Sequence, residues 1–282
     1  TMKNVAVDFG MFNNKLSGTI ELYQRDRDGL MATSSATIPG TVGANLPQEN
    51  MNSDRYYGWE FELAYNDRIS DFNYFVSGQI SSTRRKWTYR NETPASHSFD
   101  HWRNRYSGRF HNDDFWWSNE SKGMFTSVEE IRNYQLYPIS QSALPGDWYL
   151  FDWNGDGIVD GSDEHPMATR GLPYFNYGIS LGGNYKGFDL IANFQGAYKV
   201  YMQLSEVFTE ALPFGMQNGL NWFLDRWHPV DPNADFWHPD TEWISGYYPL
   251  TGGGARRENS NGIMNSSYLR LKTLELGYTL PK

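Results

Sequence analysis

Cysteine is absent from all 282 residues. That absence removes disulfides, thiolate metal ligands and cysteine nucleophiles together. Long apolar runs are also missing, and none approaches the roughly 18 residues that a membrane-spanning helix needs. Concentrated positive charge is scarce: the densest cluster is RRK at 84–86, and the net charge is −9. Binding to a phosphate backbone needs denser Lys and Arg, which excludes nucleic acid as the main partner.

What the chain has in excess is aromatic residues, 17% of the total, with 11 Trp and 19 Tyr. The mean hydropathy of −0.66 suggests a protein at home in water. A β-barrel in a membrane gives the same average, because its apolar residues occupy only alternate positions. Several segments alternate in that way. In YYGWEFELAYN, Tyr57, Trp59, Phe61, Leu63 and Tyr65 lie on one face, opposite Gly58, Glu60, Glu62, Ala64 and Asn66. KLSGTIELYQ, FNYGISLGGNY and FDLIANFQGAY divide likewise, and strands near 5–11, 72–86 and 268–280 bring the expected set to about seven. The polar faces carry Gly, Ser, Asn and Glu. The apolar faces end in aromatics, Tyr57 and Tyr65 on one strand and Phe175 and Tyr185 on another, as in the interfacial girdles of a barrel.

The connections carry a second pattern. Short links, FNNK, NDRISD and YKG, alternate with long ones at about 27–56, 88–172 and 202–267. Tight turns at one end of a barrel and large loops at the other give this order. Within the long links, SVEEIRNYQ (127–135) opens with a Ser127/Glu130 capping box, and QNGLNWFLDRW (217–227) also reads as a short helix. SHSFDHWRN does not read as a helix, which leaves His97 and His101 without a shared metal.

In FDWNGDGIVDGSDEH, Asp152, Asn154, Asp156, Ile158, Asp160 and Asp163 occupy positions 1, 3, 5, 7, 9 and 12 of a twelve-residue loop, with Gly157 at position 6. Oxygen donors at this spacing, Ile158 contributing its backbone carbonyl, suit Ca²⁺. The alternative is a solvated Asp/Gly turn. A helix–loop–helix sensor is excluded by the flanks, LPGDWYL and EHPMATRG, whose Pro and Gly break helices. The expected role of the ion is a structural strut. Among the loop tryptophans, Trp116, Trp117 and Trp237 are the first candidates for stacking on a ligand or meeting a partner protein; small loop cores are the competing explanation.

Several stretches resemble SusC/RagA-type TonB-dependent outer-membrane transporters. GDWYLFDWNGDGIVDGSDE is similar to a segment that recurs there, YFNYGISLGGNYKGFDLIANFQGAY to the hairpin that follows it, and SSYLRLKTLELGYTLPK to a late signature. VDFGMFNNKLSGTIELY and YYGWEFELAYN also fit. The resemblance covers nearly the whole chain in the expected order. It implies an all-β fold, an antiparallel transmembrane β-barrel segment of about seven strands from a larger 22-stranded barrel, with long extracellular loops. It implies that the plug, the segment that meets TonB and the final strands lie outside residues 1–282. It further implies a place in the cell outer membrane among lipid, import of oligosaccharides or peptides (a glycan or peptide ligand) and a SusD-like lipoprotein partner, with no enzymatic step. Two other classes compete with this one. A glycosidase needs two carboxyls placed across a cleft, and no local spacing identifies such a pair. A secreted calcium-dependent carbohydrate-binding β-rich module would keep the Asp loop and the aromatics, and would not need the short–long alternation.

Overall fold

A computed structural model of the chain describes residues 1–34, 43, 46–92, 95–104, 114–134, 143–204, 208, 219–250 and 260–280. Among the described residues, fifteen strands run in chain order, and seven of them build one antiparallel sheet. These are β1 (Met2–Met11), β2 (Leu16–Thr33), β3 (Gln48–Ile69), β4 (Phe72–Tyr89), β9 (Phe175–Tyr185), β10 (Phe188–Tyr198) and β15 (Tyr268–Tyr278). They are hydrogen-bonded in the order β1-β2-β3-β4-β9-β10-β15, so every neighbour is also the next sheet strand along the chain. The sheet is open, with β1 and β15 at its edges. No helix among the described residues is long and apolar enough to cross a membrane, which says nothing of strands.

The tight turns depend on residues that tolerate the left-handed region. Asn13 and Asn14 (φ 57° and 61°) follow Phe12 (φ 56°) between β1 and β2. Lys186 (φ 45°) and Gly187 (φ 88°) turn β9 into β10, and Ser70 (φ 54°) turns β3 into β4. Asn and Gly enter this region at least cost, and two-residue turns of this hand match the twist of the flanking strands.

The β2–β3 connection corrects the expected loop at 27–56. Both strands run on, pairing as far as Thr33 with Gln48. Arg27 donates from Nε to Asp54 at 2.8 Å, and Arg55 donates to Asp26, each from the directly opposite position. Cross-strand ion pairs take the place of apolar alternation there. The hydrophobic period is therefore blank where the strand continues.

The chain divides into two compact units: residues 1–114, 169–200 and 266–282, which hold the sheet, and residues 115–168 and 201–265. The second unit carries β5 (Phe115–Ser118), β6 (Ser121–Met124), β7 (Trp148–Leu150), β8 (His165–Thr169, its last residue falling in the first unit), β11 (Tyr201–Gln203), β12 (His228–Pro229), β13 (Trp243–Ile244) and β14 (Ile263–Asn265). These strands pair two by two. The helix α2 (Val128–Asn133) begins at Ser127 as its sequence predicts, Ser127 Oγ accepting from Glu130 N at 3.1 Å. Only a 3-10 turn, Asn221–Leu224, forms in the second expected helix, whose first two residues, 217–218, lie outside the described residues. In the first unit, Ser98–Asn104 is a helix, α1, against expectation. His97 sits ahead of it and accepts from Asp100 N through Nδ1 at 3.4 Å, so the imidazole acts as a cap. Capping supplies what the sequence pattern lacked.

Candidate functional site

The register places the residues of the sheet in rows. One row runs Asp8, Thr19, Glu62, Gln79, Gly178, Gln195, and a neighbouring row runs Ser17, Ala64, Ser77, Ser180, Asn193. These side chains share one face, along which lies a trough of about 690 Å³ bordered by Asp8, Thr19, Glu60, Glu62, Gln79 and Lys272. Thr19 donates to Asp8 at 2.7 Å and Asn4 donates to Glu21 at 2.5 Å. Rows of the opposite parity run Val7, Ile20, Phe61, Ile80, Tyr177 and Met11, Leu16, Tyr65, Val76, Leu181, Ala192, Leu274. The division of Trp59, Phe61, Ile179 and Leu181 from Glu60, Glu62 and Ser180 is thus the one the alternation predicts.

Aromatic lines bound the apolar face. Near the tight turns, Tyr65 and Tyr74 lie 6.1 Å apart, Phe72 stacks on Tyr74 at 5.7 Å, and Phe188 meets Tyr278 at 4.5 Å. At the far ends, Trp59 lies 6.1 Å from Phe175, and Phe175 lies 6.3 Å from Tyr198. Both β9 and β10 have 11 residues and begin and end in an aromatic. Ten steps of about 3.4 Å, tilted by about 45°, cover about 24 Å, close to the about 25 Å apolar band of an outer-membrane barrel.

In the aspartate-rich loop every predicted donor side chain is engaged with local backbone. Asp152 accepts from Gly155 N and Gly157 N at 2.7 and 2.8 Å through different oxygens. Asn154 Oδ1 accepts from Asp156 N, and Asp156 Oδ1 accepts from Ile158 N, both at 2.8 Å. Asp160 caps the single 3-10 turn Gly161–Asp163 through Ser162 N at 2.6 Å. Asp163 is fully buried and accepts from Trp153 N, Asn154 N and Asp160 N at 2.8, 3.2 and 2.8 Å. Gly157 turns the chain at φ 85°. The donor set is oxygen throughout, the right chemistry for a hard cation. Among the described residues, however, no group of three or more His, Asp or Glu side chains is gathered as a metal centre. Asp163 is held inward by the three amides.

Nearby, burial pushes the Tyr134 phenol above its ordinary pKa, with Tyr149 and Asp152 adding to it. The neutral phenol donates to Leu150 O at 2.9 Å. The three candidate tryptophans part company: Trp116 and Trp117 are half-buried in β5, whereas Trp237 is 48% exposed, its carbonyl accepting from Arg132 at 3.1 Å. Trp222 and Trp153 are about as exposed as Trp237, and no sequence pattern singles them out. Trp153 stacks on His165 at 5.2 Å.

No family model matches the chain. Two curated relatives from Formosa agariphila do: TonB-dependent receptor P26, 25% identical, and TonB-dependent receptor P3, 23% identical, each over 99% of this chain. This chain is similar in sequence to TonB-dependent receptors. Among solved structures, the RagAB peptide importer aligns over 99% of the chain, with a TM-score of 0.66 at 20% identity in its open-open state and 0.64 at 19% in its closed-closed state. That likeness shows a shared fold. The chain spans 27% of the curated relatives and 28–29% of the importer chains. Their names are those of receptors and an importer, none of an enzyme.

Proposed function

We propose that residues 1–282 form a section of the wall of a 22-stranded outer-membrane importer, with the apolar face of the seven-stranded sheet toward lipid and the polar face toward the lumen. The observation that carries this reading is the segregation of faces that runs through all seven strands, with Phe75 and Ile191 as apolar exceptions on the polar side, bounded by aromatics about one bilayer core apart. A secreted carbohydrate-binding module would have to leave Val5, Leu274 and Leu276, each more than 60% exposed, in water. The intact protein would take up a glycan or peptide with energy delivered through TonB, beneath a SusD-like lipoprotein. The RagAB likeness favours a peptide, and the exposed aromatics suit a sugar equally well. The deciding experiment places a fluorophore on Ile179→Cys or Ser180→Cys of the full-length protein in vesicles of brominated lipid. Quenching at 179 and none at 180 supports the wall. Equal quenching at both positions refutes it.

The twelve-residue spacing, the oxygen-only donors and Gly157 support calcium as the ion of the aspartate-rich loop, with Asp152, Asn154, Asp156, Asp160, Asp163 and the Ile158 carbonyl as its donors. Bound there it would brace the loop and take no part in transport. Calorimetric titration that finds no calcium binding would remove it. Of the three candidates, Trp237 is the one whose exposure suits a ligand or lipoprotein contact. Replacing it with Ala should weaken one of the two about tenfold, while Trp116 and Trp117 are equally suited to holding the loop unit together.

A further inference from the structure

One row beyond the aromatic line, on the apolar side of the sheet and away from the tight turns, the register places Lys3, Gln24, Tyr57 and Arg84, with Lys86 next along β4. The guanidinium of Arg84 lies 3.4 Å from the ring centre of Tyr174, and the ammonium of Lys199 lies 5.4 Å from that same ring. Lys86 sits 5.7 Å from the ring of Tyr57. Arg84 Nη1 donates to Thr83 O and Pro173 O, while its Nη2 is buried without a hydrogen-bond partner. None of Arg84, Lys86 and Lys199 is in an ion pair with a carboxylate among the described residues, and the acid on this side, Asp26, is taken by Arg55. Two cations flanking one ring repel each other unless an anion joins them.

The backbone at Lys199 points the same way. Its φ is 52°, a region that costs a lysine but not a glycine. Its N donates to Ser267 Oγ at 3.0 Å, and its carbonyl accepts from Thr169 Oγ1 at 2.6 Å. The strain is held by those bonds, and the side chain is thereby kept beside Tyr174. The RRK of residues 84–86, too short to bind nucleic acid, is divided by strand alternation: Arg85 turns to the other face and pairs with Asp114, which leaves Arg84 and Lys86 together.

We propose that Arg84, Lys199 and Lys86, arranged around Tyr174 and Tyr57, form a docking site for the phosphate of an anionic lipid in the leaflet that surrounds the wall. The proposal rests on the membrane-wall reading, since it is the aromatic line that sets these cations at headgroup depth. Apolar rows would hold the acyl chains below while the cations hold the phosphate above.

The test uses the purified full-length protein, delipidated and mixed with phosphatidylglycerol, with retained lipid counted by native mass spectrometry. The double variant R84Q/K199Q should lose affinity about ten- to thirty-fold. K186Q, which removes the lysine 5.2 Å from Tyr185 at the tight-turn end, should change it less than about twofold. Equal retention by wild type and double variant overturns the site. So does displacement of the lipid by inorganic phosphate, which would mark a soluble-anion site. The fluorophore at Ile179→Cys separates the two failures: quenching by brominated lipid with unchanged retention defeats only the docking site, and absent quenching defeats the wall itself. The lack of native cysteine makes that label unique within these 282 residues.

Discussion

The two units of this chain solve the problem of apolar surface in opposite ways. In the loop unit, Phe125, Val128, Ala143, Leu144, Phe223 and Trp227 are buried, and Phe125 meets Tyr134 edge-on at 5.1 Å. In the sheet, Ala197 is the one buried apolar residue among those described, while leucines along β15 stand largely exposed. The sheet has hydrogen bonds and strand pairing but no core of its own. Its order comes from the ladder, and the solvent of its apolar face comes from outside the chain. The loop unit carries its solvent exclusion within itself, as a water-soluble domain must. A sequence that is polar on average can therefore hold both a sheet with an exposed apolar face and a unit with its own small core.

The sharpest way to break that comparison is to charge one face of the sheet and then the other. Ile179→Arg on the apolar side should cost about 2–4 kcal/mol at mid-bilayer depth. Ser180→Arg, one residue along and on the polar side, should stay within about 0.5 kcal/mol. The measurement is the fraction of full-length protein that folds into vesicles across a urea series. Equal losses at both positions would show that the two faces meet the same solvent.

The next largest effect should fall on the loop unit alone. Gly146 has φ 89°, and a Cβ there would lie 2.3 Å from Trp227 Cγ. Gly146→Ala combines backbone strain with overpacking against a buried ring, about 3 kcal/mol together. Gly161 has open space within 4 Å and no left-handed φ, so Gly161→Ala serves as the neutral control. Limited proteolysis should find new cuts within 115–168 and 201–265 in the first variant and none in the second. Strand pairing, read by gel mobility without heating, should survive in both.

The sheet was legible in the sequence because alternation and turn chemistry agreed. Phe61 and Glu62 belong to different faces by simple parity, and Asn13, Asn14 and Gly187 stand where the left-handed residues are needed. The outer half of the β2–β3 hairpin was not legible, since Arg27 and Asp54 stabilise it by charge and leave no hydrophobic period. The helix at Ser98–Asn104 was hidden because its cap is a histidine ring. In the aspartate-rich loop, spacing identified the acids but not their orientation. That the oxygens of Asp163 are shared among three amides is a property of the folded turn. The Arg84–Tyr174–Lys199 cluster was invisible for another reason: its members are far apart in sequence and meet only through strand register.

The aspartate-rich loop tests the comparison at smaller scale, because it sits in the self-contained unit. Asp163→Asn keeps the size but turns one acceptor into a donor facing amide hydrogens. The loss should be about 2 kcal/mol, seen as faster amide exchange at Trp153, Asn154 and Asp160. If calcium binds, the loss should be larger with calcium than with chelator. An equal loss in both conditions would mean that the acid serves the turn and no ion.

The smallest effect expected is at the start of α2, and it separates the two units in a second way. The helix has six residues, too few to persist without support. Ser127 takes the amide of Glu130, and Glu130 Oε2 reaches back to Thr126 N at 2.7 Å and Thr126 Oγ1 at 2.8 Å. Val128 is buried just inside the cap, so loosening the first turn also disturbs the small core. Ser127→Ala should cost about 1 kcal/mol, and Ser127→Asp, which can cap as well, should cost little. Ser81→Ala, on the polar face of the sheet, removes a hydroxyl that caps nothing and should be silent within about 0.5 kcal/mol. Amide exchange at Ile131 and Tyr134 is the readout. Faster exchange there in Ser127→Ala, with the β3–β4 amides unchanged, would show that the loop unit stands on its own local bonds. Faster exchange spreading into β3 and β4 would mean that the two units share one cooperative fold.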